Sequence, residues 1–275
     1  KPIDFEDLEV TIRRTWRELE AYKRTAEGQK QLAFLQNELD VARRIQEAAL
    51  PRTFPEAEGW SFSASMLPAR EVGGDFYDLF AIDADRIGFF IGDVSGKGVS
   101  AAMFMAVTRT LLKAIALRGE PADVCVRTVN RLLYPESLPE MFVTAFYGVL
   151  DRRTGEVEYC NAGHNAPFVL RNGAPVEPLE RTGGLALCLV RDFAYRAKRV
   201  TLAPGDGLFL YTDGINEAMN EDQEQFSDER LQETLDAANG TPPGEVIRQV
   251  LRAVSQFVDT APPSDDLTTL ALRHG

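Results

Sequence analysis

The chain has 275 residues, 44% of them hydrophobic and 26% charged, with a formal net charge of −12. That length accommodates one large domain and an appendage, and the acid excess argues against nucleic acid, whose phosphates need dense Lys and Arg. No apolar run reaches the roughly 20 residues of a bilayer span. Cys125, Cys160 and Cys188 show neither zinc spacing nor a disulfide framework, which fits a reducing cytoplasm.

The start, "KPIDFEDLEV", has no initiator Met and nothing like a signal peptide, as expected of a piece cut from a longer protein. Residues 5–50 read as helix. Leu8, Ile12, Thr15, Leu19, Tyr22 and Ala26 alternate steps of four and three, the seam of a coiled coil. Leu32, Leu35, Leu39, Ala42, Gln46 and Ala49 keep that rhythm in a shifted register, with the slip beside Gly28. Glycine costs a helix interior about 1 kcal/mol, so the segment is either two helices or one coiled coil with a local discontinuity. A dimer-forming or signal-transmitting helix is expected here, ended by Pro51 and Pro55.

From Trp60 the pattern changes to short strands and turns. "WSFSASMLPA", "FYDLFAID" and "RIGFFIGDV" are strand-like, the last two joined at Asp83-Ala84-Asp85. Residues 99–117 form an apolar-rich helix opened by Gly98, and a second helix follows Pro121. "FVTAFYGVLD", "RRTG" and "EVEYCNAGH" make a hairpin. Strands are expected at "APFVLRN", "AYRAKRVTLA" and "GLFLYTDG", helices near 227–238 and 243–259, and a last strand at "DLTTLALR". Hairpins outnumber crossovers, so the fold class is α+β, with mainly antiparallel sheets and helices segregated on their faces.

Four acidic stations stand at strand ends, each beside Gly, Ser, Thr or another Asp. They are Asp75 in "GGDFYD", Asp93 in "GDVSGKG", Asp213 in "YTDGINEA", and Asp265 with Asp266 in "PSDDLTT". Singly, each has a plain explanation as a turn residue. Together they would bring carboxylates to one place, where they repel one another unless a cation neutralises them. With only His164 and His274 in the chain, an oxygen donor set suits a hard ion such as Mg²⁺ or Mn²⁺. Gly92, Gly96 and Gly98 would let a main-chain carbonyl near Asp93 join it. Two such ions bridged by a carboxylate and a water make hydroxide at neutral pH, able to displace a phosphate ester in line.

The motifs "ARRIQEAALP", "EVGGDFYD", "GDVSGKGVSAAMFM", "TAFYGVLD", "NAGHNAP", "LFLYTDGINEA" and "DDLT" occur in that order across residues 38–273. As a set they resemble the PPM (protein phosphatase 2C-like) metal-dependent serine/threonine phosphatases, in their bacterial SpoIIE/RsbU branch. The resemblance implies an α-β-β-α sandwich with a binuclear Mn²⁺ or Mg²⁺ site at the sheet edges. By motif, Asp93 would bridge both ions with the Val94 carbonyl assisting, Asp75 would hold the second, and Asp213 and Asp265 the first. Either Asp265 or Asp266 is the direct ligand; Asp265 is favoured, with Asp266 supporting it. His164 is a candidate general acid or, more plainly, a histidine that fixes a loop by hydrogen bonds. Lys97 either meets substrate phosphate or is solvated, and Arg70 lies near where eukaryotic relatives carry a phosphate-binding Arg.

"KPIDFEDLEVTIRR" also resembles the end of a response-regulator receiver domain, where Lys1 would be the lysine that contacts the phosphorylated aspartate. The organisation expected is therefore a receiver remnant over 1–14, a helical coiled-coil linker over 15–55 and a phosphatase domain over 56–275. The implied function is hydrolysis of phosphoserine or phosphothreonine on a cytoplasmic regulatory protein, by analogy an anti-sigma-factor antagonist, under control of a homodimeric N-terminal helix. The rivals are a non-catalytic dimeric signalling adaptor on the same fold and a nucleotidyl-transfer enzyme or nuclease; the acidic charge and absent nucleotide loop disfavour the last.

Overall fold

Two antiparallel sheets lie face to face because their strands alternate between two apolar environments. The computed structural model describes residues 5–51, 53–137 and 140–275. It divides into two units, residues 1–45 and 46–275. One sheet holds β2 (Phe76–Ala81), β3 (Arg86–Val94), β4 (Val143–Asp151), β5 (Glu156–Ala162) and β8 (Lys198–Thr201), in that spatial order. The other runs β1 (Trp60–Leu67), β10 (Leu267–His274), β9 (Gly207–Tyr211), β6 (Phe168–Leu170) and β7 (Glu177–Pro178).

Along β3, Phe89 and Ile91 join the core between the sheets, while Phe90 joins a second cluster on the outer face. In β10, Leu270 and Leu272 face inward and Ala271 outward. The inner layer is fastened by stacked Phe89, Phe146 and Tyr159, with ring centroids 6.3 and 5.5 Å apart. On the outer face of the first sheet pack α2 (Val99–Ala116) and α3 (Ala122–Leu133); against the second pack α5 (Ser227–Ala238) and α6 (Pro243–Val258). This is the expected α-β-β-α sandwich.

The structure revises three sequence expectations. Residues Phe5–Ala49 form one helix, α1, which runs through Gly28 without a break: among 45 residues, a single glycine costs less than a new pair of helix ends. Asp213 opens a single helical turn, α4 (Asp213–Asn216), rather than a tight turn. Finally, α2 is long and apolar enough by length and composition to cross a bilayer. Its apolar excess has a local cause, since Ala101, Phe104, Met105, Leu112 and Ile115 are buried against the sheet. The three cysteines are buried and free. Lys1 lies outside the described residues.

Candidate metal centre

The carboxylates come from both sheets. Asp93 is the penultimate residue of β3, and Asp75 immediately precedes β2, its antiparallel neighbour, with Phe76 opposite Gly92. Asp213 lies two residues beyond the end of β9, and Asp265 and Asp266 immediately precede β10, which pairs with β9.

Asp75 is 2% exposed and accepts a hydrogen bond from Thr212 Oγ1 at 2.7 Å. Burial, and then the Asp93 charge, push its pKa well above the usual carboxylate range. Burial followed by the charges of Asp213 and Asp265 push Asp93 up to about 7, against a hydrogen bond from Asp75 that pulls it down. Asp213 is raised by burial, Glu217 and Asp265, and Asp266 chiefly by burial. Five carboxylates thus act as electrostatic neighbours. Among the described residues, no three Asp, Glu, His or Cys side chains yet converge as a finished metal cage.

Two details show how the loops are held. Asp266 Oδ1 accepts the Ala69 N–H at 2.8 Å, and its carboxylate also takes the N–H groups of Gly74 and Asp75. Asp266 is therefore committed to the "GGD" backbone, whereas Asp265 is 43% exposed at its side chain and turned to the Lys97 ammonium at 2.7 Å. Lys97 also donates to the Ser264 carbonyl at 2.6 Å. It is neither simply solvated nor free for a phosphate in this arrangement. Gly73 and Gly74 are required by close approach: a Cβ on Gly73 would overlap the Asp266 carboxylate, and one on Gly74 would stand 2.7 Å from the Val94 carbonyl oxygen. That carbonyl accordingly faces the Asp75 loop beside Asp93.

His164 sits behind the centre. Its Nδ1 pairs with Thr144 Oγ1 at 2.9 Å, and Thr144 lies opposite Asp93 in the β3–β4 register. Its backbone N–H donates to Asn161 Oδ1 at 2.8 Å, and Asn161 Nδ2 donates back to the His164 carbonyl at 2.9 Å. Burial lowers the imidazole pKa to about 4, so the ring is neutral at physiological pH. In this structure the histidine fixes the 161–165 loop. A cavity of about 810 Å³ adjoins that loop, lined in part by Asn161, His164, Asn165, Arg181, Asn216 and Asp228. Arg70 is exposed.

Sequence reasoning missed Thr212, Gln46 and Asp78. Asp78 is fully buried inside β2, where it pairs with Arg109 and, at 3.1 Å, with Lys113, both on α2. An aspartate within the apolar run "FYDLF" was the available signal.

The donor set fits a hard divalent cation. It is all oxygen, partly buried, and rich in carboxyl groups whose pKa values are raised by burial and by one another's charge, a penalty that a bound cation would relieve.

The family model for Stage II sporulation protein E (SpoIIE) matches residues 83–275. Protein IcfG of Synechocystis is 33% identical over 262 residues, covering 86% of this chain and 41% of that protein. Phosphoserine phosphatase RsbU of Bacillus subtilis is 25% identical over 240 residues, covering 87% of this chain and 71% of RsbU. Among solved structures, the RsbU and RsbW domains of Rv1364c from Mycobacterium tuberculosis superpose with a TM-score of 0.71 at 27% identity, over 82% of this chain and 62% of that one. The SiaA-PP2C domain of Pseudomonas aeruginosa gives 0.77 at 24% identity, over 88% of this chain and 98% of that one, a likeness of fold. With the family model matching residues 83–275 and the solved neighbours sharing the sandwich, the chain belongs to the SpoIIE family and carries the PP2C fold.

Proposed function

We propose that this chain is a metal-dependent protein-serine/threonine phosphatase acting on a phosphorylated regulatory protein. The observation that carries the reading is the set of Asp75, Asp93, Asp213, Asp265 and Asp266, drawn from both sheets, in which burial first and neighbouring carboxylates second raise the pKa values of Asp75, Asp93 and Asp213, and chiefly burial raises that of Asp266. RsbU and RsbP of Bacillus subtilis, both named phosphoserine phosphatases, support it. The anti-sigma-factor antagonist class of partner follows by the same analogy.

In this reading Asp75, Asp93 with the Val94 carbonyl, Asp213 and Asp265 would hold the divalent ions. When bound, Mn²⁺ or Mg²⁺ supplies Lewis acidity, lowering the pKa of water and neutralising phosphoryl oxygens. The chain's own groups do the rest. Thr212 orients the Asp75 carboxylate, Asp266 holds the backbone of the 73–75 loop, and Lys97 pairs with Asp265. Neutral His164 keeps the adjoining loop in place.

The division into a receiver remnant over 1–14, a linker over 15–55 and a phosphatase domain over 56–275 belongs to the same proposal. Leu32, Phe34, Leu35 and Ile45 on α1 are 53–67% exposed, which supports a homodimer paired along that helix. The test compares Mn²⁺-dependent hydrolysis of a phosphoserine peptide by wild type and Asp93→Asn. Turnover that requires Mn²⁺ and falls at least 100-fold in the variant is expected; equal rates reject the assignment. A non-catalytic adaptor would bind its partner yet show no carboxylate-dependent uptake of Mn²⁺ in calorimetry.

A further inference from the structure

We infer that Gln46 is a positioning residue for the Asp75 arm of the metal centre, an inference that rests on the phosphatase reading above. Gln46 is 7% exposed and lies in the last turn of α1. Its Nε2 donates to the Gly73 carbonyl at 2.8 Å, and its Oε1 accepts the Gly73 N–H at 3.2 Å. One carboxamide thus satisfies both main-chain groups of a single residue, as a paired strand would, two positions before Asp75.

The opposite side of the same backbone is closed. Asp266 fills the space where a Gly73 side chain would go, and its carboxylate takes the N–H groups of Gly74 and Asp75. The "GGD" backbone is therefore clamped between Gln46 and Asp266. Glycine has no side chain of its own to anchor, and a Gly-Gly pair has wide conformational freedom. Without Gln46 the loop keeps one clamp of two, and the backbone that carries Asp75 to its Thr212 hydrogen bond is less constrained.

The choice of glutamine is informative. Its position continues the apolar series Leu35, Leu39 and Ala42, so a leucine would extend the seam at less desolvation cost. A buried amide is stable only where both its donor and its acceptor are used, and here both are used on one residue. Because the amide belongs to the last helical turn, unwinding or rotation of that turn withdraws both hydrogen bonds together. The helix end and the Asp75 loop then change state as one.

The experiment uses the whole chain as Gln46→Ala and Gln46→Glu. Mn²⁺ affinity is read by calorimetry, the metal-free melting temperature in EDTA, and KM and kcat on p-nitrophenyl phosphate. Loss of two buried hydrogen bonds, each of which typically contributes about 1 kcal/mol, predicts Mn²⁺ affinity about tenfold or more below wild type in Gln46→Ala. The expected kinetic change is a higher Mn²⁺ requirement, with KM for the small substrate little changed at saturating metal. Gln46→Glu keeps the acceptor and loses the donor, so it falls between the two, and it carries the test if the alanine variant does not fold. A lowered melting temperature with wild-type Mn²⁺ affinity would mark Gln46 as merely structural and overturn the inference. If wild type itself takes up no Mn²⁺, the metal reading falls and this inference with it.

Discussion

Replacing Asp93 by Asn should make the metal-free protein more stable while disabling it. The Asp93 carboxyl is pushed from the ordinary 3.8 to about 7, first by burial and then by Asp213 and Asp265. A carboxyl whose pKa is raised by folding favours the folded state while protonated. As pH rises from about 4 to 7 that advantage is lost, and above 7 the full penalty remains. At about 1.4 kcal/mol per pH unit, the interval corresponds to ~4 kcal/mol, and sharing of the proton with Asp75 reduces the net to ~2–4 kcal/mol. Asparagine has nearly the same shape and no charge, and its carbonyl still accepts the hydrogen bond from Asp75. In EDTA at pH 8 the variant should therefore melt roughly 5–15 °C above wild type, using ~2–4 °C per kcal/mol for a domain of this size. At pH 3, where Asp93 is protonated in both the folded and the unfolded chain, the two curves should coincide. Excess Mn²⁺ should reverse the order at pH 8, stabilising wild type far more than the variant. Thermal melts across this pH range, with and without metal, decide the matter. A variant that is less stable than wild type by the same amount at every pH would show that the carboxylates do not strain one another, and would refute the reasoning.

Three further outcomes follow from the geometry. Asp78→Asn leaves Arg109 and Lys113 facing a neutral amide beneath α2, and should cost about 3 kcal/mol or more in urea unfolding. Combining it with Arg109→Met and Lys113→Met should recover most of that loss. Gly73→Ala drives a methyl into the Asp266 carboxylate and should weaken Mn²⁺ binding about tenfold or more by calorimetry, a cost of overpacking on the order of 1–3 kcal/mol. With its pKa near 4, His164 should produce no inflection in the pH–rate profile between pH 5.5 and 8. Its stabilising contribution as a neutral ring should be complete above about pH 6.5 and decline as pH falls toward 4, a difference visible on comparing melts of wild type and His164→Gln.

The sandwich was legible because each strand alternates and each acidic station sits at a strand end. Period two in "RIGFFIGDV" sends Phe89 and Ile91 to one side and Phe90 to the other, and a strand that ends on Asp delivers that Asp to the sheet edge. Which of the adjoining Asp265 and Asp266 reaches inward toward the backbone was not legible. That depends on the Ala69 N–H, nearly 200 positions away. The same holds for Gln46 and Asp78. Each showed itself only as a polar residue in an apolar pattern, and its partners are 27 and 31 residues distant. Long-range pairing of polar groups leaves no local period, so a single sequence registers the anomaly without its resolution. The helical turn at Asp213 was hidden for another reason, since four residues are too few to establish a 3.6-residue repeat.

The candidate ligands are shared between two separately hydrogen-bonded layers, Asp75 and Asp93 on one and Asp213 and Asp265 on the other. Neither layer holds a complete set, so coordination of a cation by these residues would double as a gauge of their alignment. Apolar contacts between sheets are non-directional and tolerate a slight slide, whereas carboxylate ligation of a cation does not. A displacement too small to break one backbone bond in either layer could therefore extinguish turnover, with the rest of the molecule left standing.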